Sequence, residues 1–270
     1  MELQEKYENL KNILKNMQSA LIAYSGGVDS TFLLKVAHDV LKDNVIAVTA
    51  KSSTYPEREF KEAVKYAQEI GAKHKTIISE ELDIKGYVSN PKNRCYYCKK
   101  ELFTKLKKEA DNFGTKYVLD GSNSDDMNDY RPGMKAAEEL GITSPLKEAG
   151  LTKDDIRTLS KKLDLPTWNK PSFACLSSRF PYGNKITKEK LNMIDRAETF
   201  LLDLGFKQLR VRCHDTIARI EISPDEMENF LNSKIIMEVN KKLKEIGFLY
   251  VTLDLGGYIS GNMNKTLDNN

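Results

Sequence analysis

Long apolar runs are missing from this 270-residue chain. None approaches the roughly 20 residues that span a bilayer, and Met1–Asn16 is charged throughout, which speaks against a signal peptide. Neither sign of charge prevails: 42 Lys and Arg stand against 39 Asp and Glu, a net +3. A nucleic-acid binder would call for a clustered basic face, and this balance gives no case for one. Cysteine is scarce, with four in the chain and two of them as Cys95-x-x-Cys98. That usage suits a reducing, cytoplasmic compartment better than a disulfide scaffold. His38, His74 and His214 are scattered and no second CxxC exists, so a closed zinc site lacks half its ligands. Internal repeats and low-complexity tracts are absent too. The expectation is a soluble cytoplasmic protein, long enough for one large domain or two small ones.

What is present is concentrated first in Ser25-Gly26-Gly27-Val28-Asp29-Ser30. The run Ala20–Tyr24 before it reads as a buried strand, and Thr31–Ala37 after it as the start of a helix. Two glycines permit positive φ and close backbone approach. Amides at a helix N-terminus then form a nest for an oxyanion. The pattern is not GxxxxGK[ST], and no lysine follows the second glycine. Neutralisation is therefore assigned to amides, hydroxyls and a magnesium ion that Asp29 helps to hold. SGGxDS after a strand resembles the PP-loop of the ATP pyrophosphatases. The resemblance implies that Ser25, Gly26, Gly27, Asp29 and Ser30 bind ATP and that pyrophosphate leaves from this turn.

The first half alternates strand and helix. Strands are predicted at Asn44–Thr49, Lys75–Ile78 and Lys116–Leu119, and helices at Pro56–Ile70 and Cys98–Asp111. Such βαβ units imply a parallel sheet, with ligands at the carboxyl ends of its strands. The loops after Tyr24, Thr49 and Leu119 should face one another. A proline-punctuated stretch from Leu165 to Gly183 then breaks the rhythm and reads as a functional loop. Beyond it come a helix at Thr187–Leu204, a hairpin of Gln208–Cys213 and Thr216–Ile222, a helix at Asp225–Ile246 and a strand at Phe248–Leu255. The fold class is α/β: an N-terminal parallel-sheet PP-loop domain over 1–168, adenine nucleotide alpha-hydrolase-like, with a smaller α+β domain over 169–270 for substrate binding and oligomerisation.

Several constellations could carry chemistry. Thr49 and Ser52 follow the second strand, where a PP-loop fold places adenine and ribose, and Gly121 opens a comparable turn after the fourth. Asp125 and Asp126 offer a magnesium ligand beside Asp29 or a helix cap; Asp126 is the assigned ligand. Cys95 and Cys98 supply two soft ligands that suit half a zinc site, a redox pair or two buried thiols. Cys175 is flanked by Ser177, Ser178 and Arg179, a setting that favours a reactive thiolate, with a buried structural cysteine as the alternative. Arg210 and Arg212 alternate on a strand and project from one face, where two guanidinium groups suit a phosphate.

Taken together, SGGVDS, RCYYCKKELF, GSNSDD and W-x-K-P-x-x-A-C-L-x-S-R-x-P-Y-G (Trp168 to Gly183) resemble the LarE family of sulfur transferases over nearly the whole chain. The resemblance implies an enzyme that adenylates a carboxylate of a pyridinium-dicarboxylate mononucleotide and converts it to a thiocarboxylate, in assembly of a nickel-pincer nucleotide. It implies that Ser178, Arg179, Arg210 and Arg212 hold the substrate phosphate, and that the protein is a homo-oligomer. In single-cysteine members the counterpart of Cys175 gives up its own sulfur. Members that also carry counterparts of Cys95 and Cys98 are implied to hold a [4Fe-4S] cluster on three thiolates. That leaves one iron open for sulfide or another donor's sulfur. Cys213, between Arg212 and His214, is read as a packing residue.

Overall fold

A computed structural model describes residues 2–128, 132–171, 173–259 and 262. Ser172 of the long motif and the tail beyond Asn262 lie outside them. The chain divides into two compact units: Met1–Ser52, Glu57–Glu80 and Asn93–Phe173 form the first, and Ser53–Pro56, Glu81–Lys92 and Ala174–Asn270 the second. The main division thus falls at Phe173, with two earlier segments joining the second unit.

In the first unit the elements run α1 (Leu3–Met17), β1 (Ala20–Ala23), α2 (Val28–Leu41), β2 (Val45–Lys51), α3 (Glu57–Ile70), β3 (Lys73–Ile78), α4 (Arg94–Phe113), β4 (Val118–Leu119), α5 (Pro132–Glu139), α6 (Pro145–Glu148) and α7 (Lys153–Lys162). The strands are parallel in the order β3-β2-β1-β4. Period-two alternation fills both faces of this sheet. Ala20 and Ile22 of β1 join Val45 and Ala47 of β2 in a core with Phe32, Leu33, Ile156 and Leu159. Leu21 and Val48 point the other way, onto Phe103, Leu106 and Val118. Each such aliphatic or aromatic side chain contributes about 1.5–3 kcal/mol on burial. Because β1 pairs with β2 on one side and β4 on the other, the order of the chain reverses at β1. A crevice therefore opens beyond the carboxyl ends of β1 and β4.

The second unit contains α8 (Lys188–Asp203), β5 (Leu209–His214), β6 (Ile217–Ile222), α9 (Met227–Phe230), α10 (Ser233–Ile246) and β7 (Tyr250–Leu253). Thr187 caps α8 by accepting from the Lys190 N–H at 3.2 Å. Leu191, Ile194, Ala197 and Leu201 recur at helical spacing and are buried with Leu209, Val211 and Ile220. β5 and β6 are antiparallel, as the hairpin reading requires, and β7 adds to β6 in parallel.

Three expectations change. α4 begins at Arg94 rather than Cys98, so both cysteines of the CxxC lie within its first five residues. The expected helix Asp225–Ile246 is broken into a 3-10 turn (Pro224–Glu226), α9 and α10, because Asn232 leaves helical φ/ψ and its side chain caps a new start at the Lys234 N–H. β4 shrinks to Val118–Leu119.

Candidate active site

The turn between β1 and α2 is shaped by its glycines. Gly26 has φ +64°, and a Cβ there would stand 2.7 Å from Ala63 Cβ. Gly27 caps α2 with extended backbone and no side-chain hydrogen bond, leaving the first amides of the helix for a ligand. Ser30, nearly buried, donates to the Gly27 carbonyl at 3.3 Å, and its Oγ accepts from the Ser25 amide at 3.3 Å. Gly121, after β4, lies so close that its Cβ would sit 3.1 Å from the Ser30 nitrogen. The loops after β1 and β4 therefore meet, and they enclose a cradle that a single extra carbon would fill. Those residues fit a nucleotide phosphate.

Thr49 has another task. It is 1% exposed; its one hydroxyl proton goes to the Tyr24 carbonyl at 2.9 Å, so its oxygen accepts from His74 Nε2, also at 2.9 Å. Burial lowers the pKa of His74. Thr49 thus ties β2 to β1 and β3. Ser52, half-buried, lies just beyond β2.

The GSNSDD turn is committed largely to its own backbone. Asp126 accepts from the Asn123 N–H at 3.0 Å, and Asp125 accepts from the Lys153 N–H at 2.8 Å, capping α7. Asn123 Nδ2 donates to Asp29 Oδ1 at 3.3 Å, and Lys153 Nζ donates to Asp29 Oδ2. Lys153 does not stand out in the sequence. No lysine follows Gly27 within the turn itself, and lysines reach it from far along the chain. Lys170 Nζ lies 3.4 Å from the Gly26 carbonyl and pairs with Glu59 and Glu62 at 2.7 and 2.8 Å. Burial opposes the charge of Lys170, but the two carboxylates prevail and raise its pKa. Among the described residues no group of three or more His, Cys, Asp and Glu side chains is arranged to hold a metal. Magnesium needs only one or two carboxylates with substrate phosphates, and Asp29, part-exposed at the cradle, can provide one.

Cys95 is exposed and Cys98 half-buried near the start of α4. Spaced i, i+3, they share one face. Gly133 of α5 packs on this turn: its Cβ would stand 3.5 Å from the Cys95 carbonyl. Two accessible thiols at this spacing fit an iron–sulfur or zinc centre. Cys213 is buried, and burial pushes its thiol pKa up, as suits a packing residue.

In the second unit Cys175 caps a 3-10 turn, Leu176–Arg179, and is half-buried. Arg179 has no exposed surface. It pairs with Glu198, and its Nη1 donates to the carbonyls of Ala174 (2.6 Å) and Cys175 (3.1 Å) and to Ser178 Oγ (2.8 Å). Arg212, 5% exposed, donates through Nε and Nη2 to Glu221 Oε2 at 3.0 and 2.7 Å, and through Nη1 to the Ser178 carbonyl at 3.0 Å. Two of the three expected phosphate-holding arginines are thus spent on the turn that carries Cys175. Arg210 is only half-buried, with its guanidinium 5.0 Å from the Tyr258 ring centroid. Burial and then the like charge of Arg179 lower its pKa.

An NAD synthase family model matches residues 2–111. The pyridinium-3,5-bisthiocarboxylic acid mononucleotide synthase of Lactiplantibacillus plantarum is 43% identical over 98% of this chain and 96% of its own. The chain belongs to the LarE family. It is a PP-loop enzyme of the ATP-using class. An uncharacterized protein of Synechocystis sp. is 47% identical over 98% of this chain and 99% of its own. More distantly, a glutamine-hydrolysing GMP synthase component from Thermoplasma volcanium is 29% identical over 73% of this chain and 66% of its own. Among the described residues no helix is long and apolar enough to cross a membrane.

Proposed function

We propose that this LarE-family protein is an ATP-dependent sulfur transferase acting on a pyridinium-dicarboxylate mononucleotide. The observation that carries the reading is that its likeness to the bisthiocarboxylic acid mononucleotide synthase extends over 98% of the chain, so the glycine cradle and the Cys175 turn both fall within it. A substrate carboxylate attacks the α-phosphorus of ATP, and pyrophosphate leaves across the amides of α2. A sulfur nucleophile then displaces AMP from the acyl carbon and leaves a thiocarboxylate.

Arg210 is the residue assigned to the substrate phosphate. An anion beside it would relieve the repulsion from Arg179 and Arg212 that, after burial, holds its pKa down. Ser178 and Arg212 back the same face. Asp29 is the protein's share of the magnesium site. Cys95, Cys98 and Cys175 are proposed to hold a [4Fe-4S] cluster, which when bound supplies the sulfur for transfer from sulfide or another donor. All four cysteines are outside disulfides, in keeping with a cytoplasmic setting. A homo-oligomer completes the reading.

The test is an anaerobic incubation with ATP, Mg2+, sulfide and pyridinium-3,5-dicarboxylic acid mononucleotide. Pyrophosphate release that depends on the acceptor, with a product in which sulfur replaces oxygen, is expected. Pyrophosphate release indifferent to the acceptor, or no thiocarboxylate, overturns the proposal.

A further inference from the structure

A pyridinium mononucleotide makes opposite demands at its two ends. Its phosphate is an anion that suits guanidinium groups, whereas its ring carries a positive charge that the same groups repel. Arg179 and Arg212 both act on Arg210 as like charges, so the surroundings of Arg210 are hostile to a cation. A carboxylate would be a poor remedy, because arginines this close claim carboxylates for themselves. Arg179 has claimed Glu198, and Arg212 has claimed Glu221. An aromatic face attracts a cation without a net charge that the arginines could neutralise.

Tyr258 presents such a face. After β7 the chain turns through Gly257, whose φ is +66° and whose Cβ would stand 2.9 Å from the Ile222 carbonyl oxygen. Tyr258 then donates its N–H to that same oxygen at 2.8 Å. Ile222 is the register partner of Leu209, so Tyr258 is pinned beside the start of β5. Its half-buried ring carries the Arg210 guanidinium 5.0 Å from the centroid. The group on that face is thus a planar, delocalised, weakly hydrated cation. A pyridinium ring has the same three properties.

We propose that Tyr258 is the contact for the substrate's cationic ring, its face passing from Arg210 to the pyridinium when the phosphate draws Arg210 away. This rests on the pyridinium-mononucleotide reading and adds the residue that recognises the base. The exchange keeps a cation on the aromatic face at each stage, so the pyridinium charge is not stranded among arginines. Ring charge becomes the selected property. A mononucleotide with a neutral base gains the phosphate contact but takes Arg210 off the ring with no cation to replace it. Tyr258 makes and breaks no covalent bond.

Equilibrium binding tests this with Mg2+ and α,β-methylene ATP present, which keeps the carboxylate from being adenylated. The probes are pyridinium-3,5-dicarboxylic acid mononucleotide, its 1,4-dihydropyridine form with an uncharged ring, and ribose 5-phosphate. Wild-type protein should prefer the charged ring to the neutral one by roughly three- to thirtyfold. Tyr258→Leu should abolish that preference and Tyr258→Phe should keep it. Ribose 5-phosphate affinity should hold level or tighten in Tyr258→Leu, because Arg210 has no ring to leave. Should the leucine variant fail to fold, absorption of the complex gives the answer. A stacked tyrosine–pyridinium pair should add a charge-transfer band, displaced to shorter wavelength in Tyr258→Phe. A preference that survives Tyr258→Leu, ribose 5-phosphate binding lost in step with the mononucleotide, or a complex without the band each overturns the proposal. Wild-type protein that binds no pyridinium mononucleotide overturns the substrate reading itself, and that failure shows before any variant is made.

Discussion

Arg179 and Glu198 form a two-pronged ion pair sealed from solvent, with Nε 2.9 Å from Oε1 and Nη2 2.8 Å from Oε2. Glu198 Oε1 also accepts from the Val211 N–H at 2.9 Å. Helix α8, strand β5 and the turn bearing Cys175 therefore converge on one charge pair. The position of Cys175 depends on a glutamate that makes no contact with it.

Replacing Glu198 with Gln should cost about 3–5 kcal/mol, because a buried guanidinium loses its counter-charge. Burial alone would raise the Glu198 carboxyl, but Arg179, Arg210 and the Val211 amide together hold it below the usual carboxylate range. A carboxyl depressed on folding contributes stability above its unfolded pKa and loses it as pH falls through the folded one. Denaturant unfolding should therefore show a constant gap between wild type and Glu198→Gln near neutrality, shrinking only below about pH 4.3. A gap that persists to acid unfolding would show that the pair contributes through shape rather than charge.

Gly26 combines a left-handed φ with a neighbour in the way. Gly26→Ala should lose about 1–2 kcal/mol to backbone strain and about 1–3 kcal/mol to the collision with Ala63, and ATP binding should go with it. Adding Ala63→Gly removes one colliding carbon but leaves the Ala63 Cα at 2.8 Å and its nitrogen at 3.2 Å, as well as the strain. The double variant is therefore expected to stay close to Gly26→Ala in stability. Full recovery on removing the Ala63 methyl would show that the backbone of α3 is not the obstacle.

Much of this is legible in the sequence because it is written locally. SGGVDS names its own turn, the apolar runs name the strands, and Arg210 and Arg212 announce one face of β5 by alternation. What cannot be read is what arrives from a distance. Lys153 reaches Asp29 through the path of α7, and no spacing in the hexapeptide points to it. Glu198 and Glu221 look like ordinary surface glutamates on a helix and a strand until Arg179 and Arg212 are seen to be buried against them. Thr49 sits where a nucleotide contact is expected, but its hydroxyl is claimed by Tyr24. The break at Asn232 is hidden because a lone side-chain cap outweighs helical periodicity that runs on either side of it.

The two arginines of β5 should now separate in experiment. Arg210→Ala should raise the apparent binding constant of the mononucleotide by about 1.5–3 kcal/mol while sparing ATP affinity and the melting point. Arg212→Ala leaves Glu221 fully buried with Arg219 as its one cationic partner among the described residues, so it should lower stability by about 3 kcal/mol. Titration of both ligands together with thermal unfolding checks this. Equal loss of mononucleotide and ATP binding in stable Arg210→Ala would move Arg210 away from the substrate phosphate.

The sulfur source is the remaining question, and the cysteines divide it cleanly. A cluster on Cys95, Cys98 and Cys175 needs all three thiolates, so Ser at any one should bleach the anaerobic protein or make its colour labile. Cys213→Ser should not, since that thiol is buried and its pKa raised by burial. Transfer should then depend on added sulfide and turn over repeatedly, because no side chain is consumed. A Cys175 that gives up its own sulfur makes the opposite set of demands. It allows one sulfur per chain, ignores Cys95→Ser, and loses hydrogen sulfide from position 175. Intact-mass measurement after turnover sees that loss directly. Dehydroalanine at position 175 in colourless, fully active protein would overturn the cluster and leave Cys95 and Cys98 as a pair near the start of α4 with no part in the transfer.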